Sequence, residues 1–192
     1  MTVSPPPSLQ TRFTDTPAMR WLFASLMTGV TALCAPLSLH VPGTPIPFTF
    51  GPFAVLLSGL LLGSRWGSVA MAQYLLLGWM GYPVFADGKS GFGVMFGLTG
   101  GYLWSYPLAA FVVGWLAERG NANGSAAALL SRQIVATAAG LAIIYGLGVS
   151  WYATVSRQSL NLAFWQGALI FLGWDSLKAL AAVLIAHGRR LR

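Results

Sequence analysis

Six apolar runs recur along this chain, and they constrain its fold more strongly than any other feature. They cover residues 21–39, 50–62, 66–80, 99–116, 126–151 and 161–187. A helix of about 20 apolar residues spans the hydrocarbon core of a bilayer, which is about 30 Å thick. Only 8% of the residues are charged, whereas soluble proteins carry about 25%. The pattern predicts an all-α membrane protein with six transmembrane helices.

The basic residues predict how these helices are oriented. Lys89 and Arg157 lie at one set of helix ends. The other set carries Arg12, Arg20, Arg65, Arg119, Arg132, Arg189, Arg190 and Arg192. Because lysine and arginine are enriched at the cytoplasmic ends of membrane helices, both termini are expected in the cytoplasm. This placement also accounts for the formal net charge of +7, so no nucleic-acid partner is expected.

Composition divides the chain into three parts. Residues 1–19 are polar and proline-rich and are expected to form a disordered cytoplasmic tail. Residues 20–188 form the predicted six-helix transmembrane domain, and residues 189–192 form a basic cytoplasmic end. Cys34 is the only cysteine, which excludes an internal disulfide or a cysteine-based zinc site. We predict no metal site.

Three loops are expected to face outward, at residues 38–49, 81–98 and 152–160. The first is rich in proline, which fixes φ and removes an amide hydrogen, and it ends with Phe48 and Thr49. The second is too long for a simple turn. Its aromatic residues Tyr82 and Phe85, with Tyr102 beyond its end, provide flat apolar surface. A ligand site is therefore expected at the outer face, covered by the first two loops.

Asp87 is the one acidic residue in these outer loops. We assign it to the ligand site. The alternative is a solvated ion pair with Lys89, two residues away.

Asp175 and Lys178 lie inside the last apolar run, in the sequence GWDSLKALAAVLIA. A charged residue at the centre of a membrane helix costs about 2.5 to 3.5 kcal/mol, whereas an i,i+3 pair recovers only about 0.2 to 0.5 kcal/mol in water. We expect Gly173 to divide the run, so that a recessed helix starts near Trp174. Lys178 would then lie in its first turn, where an anionic ligand completes the site.

Small residues recur at spacing four in the first run, at Ala24, Thr28 and Ala32. Such a stripe lets another helix approach closely in a bilayer. It indicates either packing within the domain or docking to a separate membrane subunit.

Several motifs together resemble one known family. They are PIPFTF (45–50), GSRWG (63–67), GYPVFADGKSGFG (81–93), GLTGGYL (97–103), PLAAFVVGWLAERG (107–120) and WDSLKA (174–179). In this order they resemble the biotin-specific S components, the BioY family, of energy-coupling-factor (ECF) vitamin importers. The chain departs from the family at Gly51, Asp87, Gly173 and Trp174, where glutamine, asparagine, proline and glycine are common.

The resemblance implies the ECF S-component fold, with one biotin bound near the outer face of a bacterial inner-membrane protein. It also implies a membrane coupling protein and two cytoplasmic ATPases as partners, and docking through Ala24, Thr28 and Ala32. Biotin needs aromatic walls, hydrogen-bond acceptors for its ureido N–H groups and a cation for its carboxylate. We expect these from Phe48, Thr49, Tyr82, Phe85, Tyr102, Asp87, Asp175 and Lys178.

Other functions fit parts of the sequence. The chain has no P-loop, so ATP would be used by the partners, and we expect no cofactor in this chain. An S component for thiamine or riboflavin would have the same composition. An intramembrane enzyme could use Asp175 and Lys178 as acid and base, but the chain has only 4 acidic residues and 2 histidines, so we expect a transporter subunit and not an enzyme.

Overall fold

The structure, a computed structural model, describes residues 16–119 and 125–190, without the side chains of residues 189 and 190. Seven α-helices are described in this part of the chain: α1 Pro17–Cys34, α2 Gly51–Trp79, α3 Phe92–Met95, α4 Gly100–Glu118, α5 Ala126–Ser156, α6 Leu160–Phe164 and α7 Ile170–Arg190. A 3-10 turn covers Ala86–Gly88, and a π-helix at Trp165–Leu169 joins α6 to α7. Two short strands, β1 Ser38–Leu39 and β2 Phe48–Thr49, pair antiparallel.

A sharp break at Gly63 divides α2 into two helical halves. The backbone there has φ 79° and ψ −178°, a region that is open essentially to glycine alone. The Glu118 carboxylate covers the break, because it accepts hydrogen bonds from the Ser64 amide at 3.2 Å and the Ser64 hydroxyl at 2.9 Å. An acidic group is favourable there, since Ser64 starts the second half. The gap between the apolar runs 50–62 and 66–80 is thus a break at one residue.

The predicted fold class is confirmed. Three helical stretches are long and apolar enough to cross a membrane, at Gly51–Trp79, Ala126–Ser156 and Leu160–Gly188. With α2 divided at Gly63, the described residues form six principal helical segments: α1, the two halves of α2, α4, α5 and the continuous stretch of α6, π-helix and α7. The face of α4 that points away from the core is apolar and exposed at Trp104, Leu108, Phe111 and Trp115, as expected for contact with lipid.

The expectation that Gly173 divides the last run is wrong. Helical backbone continues from Leu160 to Arg190, and the irregular part is the π-helix at Trp165–Leu169. Gly173 keeps helical backbone, and an unbroken helix satisfies its own backbone hydrogen bonds inside a bilayer. Asp175 and Lys178 therefore lie well inside a continuous helix and not in its first turn.

The predicted terminal segments lie largely outside the described residues. Most of the tail predicted for residues 1–19 lies outside them, but Pro17 already begins α1, where proline is favoured at the start of a helix. Residues 191 and 192 of the predicted basic end also lie outside, and α7 continues to Arg190.

Candidate functional site

A cavity of about 630 Å³, including its opening, lies between the first two outer loops and helices α2, α4, α5 and α7. Its walls are mostly apolar. Seven aromatic residues line it: Phe48, Tyr74, Phe85, Tyr102, Tyr106, Tyr145 and Phe171. Asp175 is the one ionisable acid or base, other than tyrosine, among the described lining residues. Such a pocket suits a small molecule with flat apolar parts and few polar groups.

Asp175 is held by two side chains. Its Oδ1 accepts a hydrogen bond from Lys178 Nζ at 2.7 Å, and its Oδ2 accepts one from the Tyr145 hydroxyl at 2.5 Å. The side chains of Asp175 and Lys178 are only 6% and 8% exposed. Buried charges require such pairing, and each carboxylate oxygen keeps a second lone pair. Asp175 can therefore accept a hydrogen bond from a ligand without losing its partners.

Lys178 lies behind Asp175 and does not line the cavity. Its ammonium also donates to the Thr49 carbonyl oxygen at 2.6 Å, and it lies 3.4 Å from the centre of the Phe48 ring. An ammonium has three N–H donors. The carboxylate, the carbonyl and the ring face already satisfy this buried ammonium, and the expected contact of Lys178 with a ligand anion stays a prediction.

The same contacts attach the first outer loop to α7. Phe48 stacks with Phe171 at 6.1 Å between ring centres, and it meets Trp174 edge to face at 6.3 Å. Thr49 follows Phe48 in β2, and its side chain accepts from the Gly51 amide at 3.2 Å. The predicted site residues Phe48 and Thr49 therefore do line the cavity.

Phe85 and Tyr102 also lie in the cavity wall, as predicted. Phe85 is fully buried, and its ring rests on Gly78, where any side chain would overlap it. The Tyr102 hydroxyl donates to the Gly167 carbonyl at 2.9 Å. Gly167 lies in the π-helix, so this bond connects α4 to the irregular turn beside the site.

The structure places two predicted site residues outside this cavity. Tyr82 is 54% exposed and does not line it. Asp87 pairs with Lys89 at 3.0 Å and with His40 at 3.4 Å, and it bonds to the Ser38 hydroxyl. The Ser38 hydrogen bond and the nearby Lys89 and His40 lower the pKa of Asp87, although burial opposes them. The structure therefore shows the alternative arrangement, in which Asp87 forms an ion pair with Lys89.

The stripe on α1 faces the protein interior. Ala24 is fully buried, and Thr28 is 4% exposed. The Thr28 hydroxyl lies 2.8 Å from the Ala70 carbonyl and 2.9 Å from Gln73 Oε1, both in α2. Ala32 is partly buried against the same core. The structure therefore shows the stripe packing within the domain, and docking of a separate membrane subunit through it stays a prediction.

A substitution at Ala24 tests whether the stripe packs within the domain. Ala24→Phe should lower the thermal unfolding midpoint of the detergent-solubilised protein by at least several degrees, because overpacking a core costs about 1 to 3 kcal/mol. Leu26→Phe is the matched control. Leu26 is on the same helix and is 61% exposed, so this substitution should change the unfolding midpoint little. An unchanged midpoint for Ala24→Phe would mean that the stripe is available for docking.

Several lining residues have no marker in the sequence. Tyr145 and Tyr106 come from α5 and α4, and Phe171 comes from α7. Each lies in a largely apolar stretch of its helix, where a tyrosine or phenylalanine does not stand out. Tyr145 contacts Asp175, which is 30 residues away in sequence. The sequence does not show that these two residues meet.

Comparison with known proteins identifies the family. The model of the BioY family matches residues 8–192 of the chain. The chain belongs to the BioY family. A protein of Thermotoga maritima named biotin transporter BioY is 40% identical over 151 residues, which cover 77% of this chain and 83% of that protein. A biotin transporter BioY of Rhizobium etli is 32% identical over 168 residues, which cover 86% of this chain and 88% of the relative.

A solved structure has the same fold. The crystal structure of the S-component for biotin from an ECF-type ABC transporter superposes with a TM-score of 0.79, covering 97% of this chain and 95% of that chain. At 20% sequence identity this similarity establishes the fold, and the S-component architecture expected from the motifs is confirmed.

Proposed function

We propose that this chain is the substrate-binding membrane subunit of a biotin uptake system. The observation that carries the proposal is the aromatic cavity, with one buried carboxylate in its wall, in a member of a family whose named relatives are biotin transporters. The fused rings of biotin match the aromatic walls, and its ureido N–H groups need an acceptor such as Asp175. The ligand is a transported substrate and not a cofactor.

Capture occurs from the outer face in this proposal. Phe48 and Thr49 of the first outer loop and Phe85 of the second line the cavity, so closure of these loops would surround the bound molecule. The distribution of lysine and arginine supports cytoplasmic termini in a bacterial inner membrane. Phe48 packs against Phe171, and this packing holds the first outer loop close to α7. A ligand ring in the cavity would contact Phe48 in this position.

Release into the cell would require partners. A membrane coupling protein and two cytoplasmic ATPases of an ECF module would supply the energy of ATP hydrolysis. Docking of the coupling protein through Ala24, Thr28 and Ala32 on α1 stays a prediction.

Equilibrium binding to the purified, detergent-solubilised protein tests the function. Biotin is expected to bind saturably with one site, and thiamine and riboflavin are expected to bind at least about 100-fold more weakly. The physical reason is that a site built to hydrogen-bond a ligand group rejects molecules that leave its buried polar group unpaired. Absence of saturable biotin binding, or tighter binding of either other vitamin, would reject the proposal.

A further inference from the structure

A groove separates α5 from the last helical stretch, on the side of the chain away from the two outer loops. It encloses about 950 Å³, its opening included, and is lined by α5, α6, the π-helix and the start of α7. Both walls belong to stretches that are long and apolar enough to cross a membrane. We name it the lateral groove, meaning the space lined by Ala142, Gly146 and Ser150 on one side and by Ala168, Leu169 and Leu172 on the other.

Small residues on α5 create this space. Ala142, Gly146 and Ser150 recur at spacing four, so they lie on one face of the helix, and all three are exposed. A Cβ placed on Gly146 would meet no atom within 4 Å. From Ala142 to Ser150 the helix rises by about 12 Å, at about 1.5 Å per residue. The groove is therefore long and narrow, and it follows the direction of the helix.

The lateral groove is continuous with the surface that faces lipid. Leu160, Phe164 and Leu172 line it and are exposed on a membrane-spanning stretch. Water is scarce in the hydrocarbon core of a bilayer, and a groove left empty would lose the dispersion contacts of its lining. An acyl chain is the occupant that the surroundings supply.

The few polar groups of the groove suit a chain attached to a polar head. The described residues that line it carry no charge. The Ser150 hydroxyl donates to the Gly146 carbonyl of its own helix at 2.7 Å, and the Tyr145 hydroxyl donates to Asp175. Asn161, in the first turn of α6, places an amide at the end of the groove nearest the connection from α5 to α6. An amide N–H can donate to an ester carbonyl oxygen.

We propose that the lateral groove binds one acyl chain of a phospholipid, with the ester group of the lipid beside Asn161. The groove lies next to the first cavity, because Tyr145 is the one described residue that lines both. A bound chain therefore packs against the side chain whose hydroxyl holds Asp175. This inference goes beyond the proposed function and does not depend on what the first cavity binds.

Thermal unfolding with added phospholipid tests the site. The protein is purified in a steroid-based detergent, because such a detergent has no alkyl chain that competes for the groove. Dioleoyl phosphatidylglycerol should raise the unfolding midpoint saturably, since a ligand that binds the folded state stabilises it. Dihexanoyl phosphatidylglycerol has the same head group and should raise the midpoint less, because its chains bury fewer methylene groups.

Substitutions that fill the groove separate this site from general contact with lipid. Gly146→Phe should weaken the affinity for the dioleoyl lipid by at least about 10-fold, because the chain loses its buried apolar area, and should unfold near the wild-type temperature without lipid. Ala142→Phe fills the same groove and is the second variant. Gly29→Phe is the matched control, since Gly29 on α1 also has no atom within 4 Å of its Cβ position, and it should respond to lipid like the wild type.

The opposite results would overturn the inference. They are an absent or unsaturable lipid response in the wild type, or equal lipid affinity in Gly146→Phe, Ala142→Phe and Gly29→Phe. Sedimentation velocity tests a second copy of the chain as the occupant. A wild-type dimer that Gly146→Phe converts to a monomer would make the groove a protein interface and would also overturn the inference. Absence of biotin binding in the wild type would reject the proposed function and leave the lipid site standing.

Discussion

Asp175→Ala is expected to abolish biotin binding, with a loss of at least about 100-fold, and to destabilise the fold. The substitution removes the acceptor in the cavity and leaves the 8% exposed Lys178 side chain without its carboxylate partner. Breaking a buried ion pair costs about 3 to 5 kcal/mol. Binding is measured by calorimetry with biotin, and stability by thermal unfolding in detergent.

A double variant separates the two effects. Asp175→Leu combined with Lys178→Leu removes both charges, and replacing a buried pair by apolar residues is often neutral or stabilising. The double variant should therefore unfold close to the wild-type temperature and still fail to bind biotin. Recovery of binding in it would contradict the role of Asp175 as the acceptor, and a stability as low as that of Asp175→Ala would contradict the account of the unpaired ammonium.

Gly63→Ala is expected to be among the most destabilising single substitutions in the chain. Alanine would be forced to keep φ 79°, and the Glu118 carboxylate, at the end of a flexible side chain, would have to move away from the added methyl group. Residues other than glycine in this region cost about 1 to 3 kcal/mol in strain alone. The unfolding midpoint in detergent should fall by many degrees, and the yield of monodisperse protein should fall with it.

Gly173→Ala is the matched control for this prediction. Gly173 lies inside a helix, with no atoms within 4 Å of the position that a Cβ would take. Alanine is preferred over glycine in a helix by about 1 kcal/mol, so this variant should be neutral or slightly more stable. A strong destabilisation by Gly173→Ala, or none by Gly63→Ala, would refute the assignment of the break to Gly63.

The apolar runs predicted most of the helices to within a few residues. The second run, 50–62, ends just before the break at Gly63, and the fourth, 99–116, nearly coincides with Gly100–Glu118. Hydrophobic length determines these limits, because a bilayer accepts polar residues only at its surfaces. The fifth run was predicted five residues too short, since Tyr152–Ser156 is polar enough to read as a loop but continues α5.

Part of the candidate site was also predicted from the sequence. Phe48, Thr49, Phe85, Tyr102 and Asp175 all line the cavity, and the aromatic loop residues, the charge inside an apolar run and the family resemblance had indicated them. The loop residues Tyr82 and Asp87 were also predicted to line the cavity, but they do not. A loop residue points toward the cavity or away from it according to local backbone geometry, and Asp87, at φ 60°, turns toward Ser38.

The sequence by itself determined the membrane-spanning class and the family, because hydrophobic length and ordered motifs are properties of the chain in one dimension. The tertiary structure alone decided which partner each buried polar group has. Thr28 bonds to Ala70, Tyr145 to Asp175, and Lys178 to the Thr49 carbonyl 129 residues away. In a region of low dielectric every such group must find a partner, and the identity of that partner depends on which helices meet.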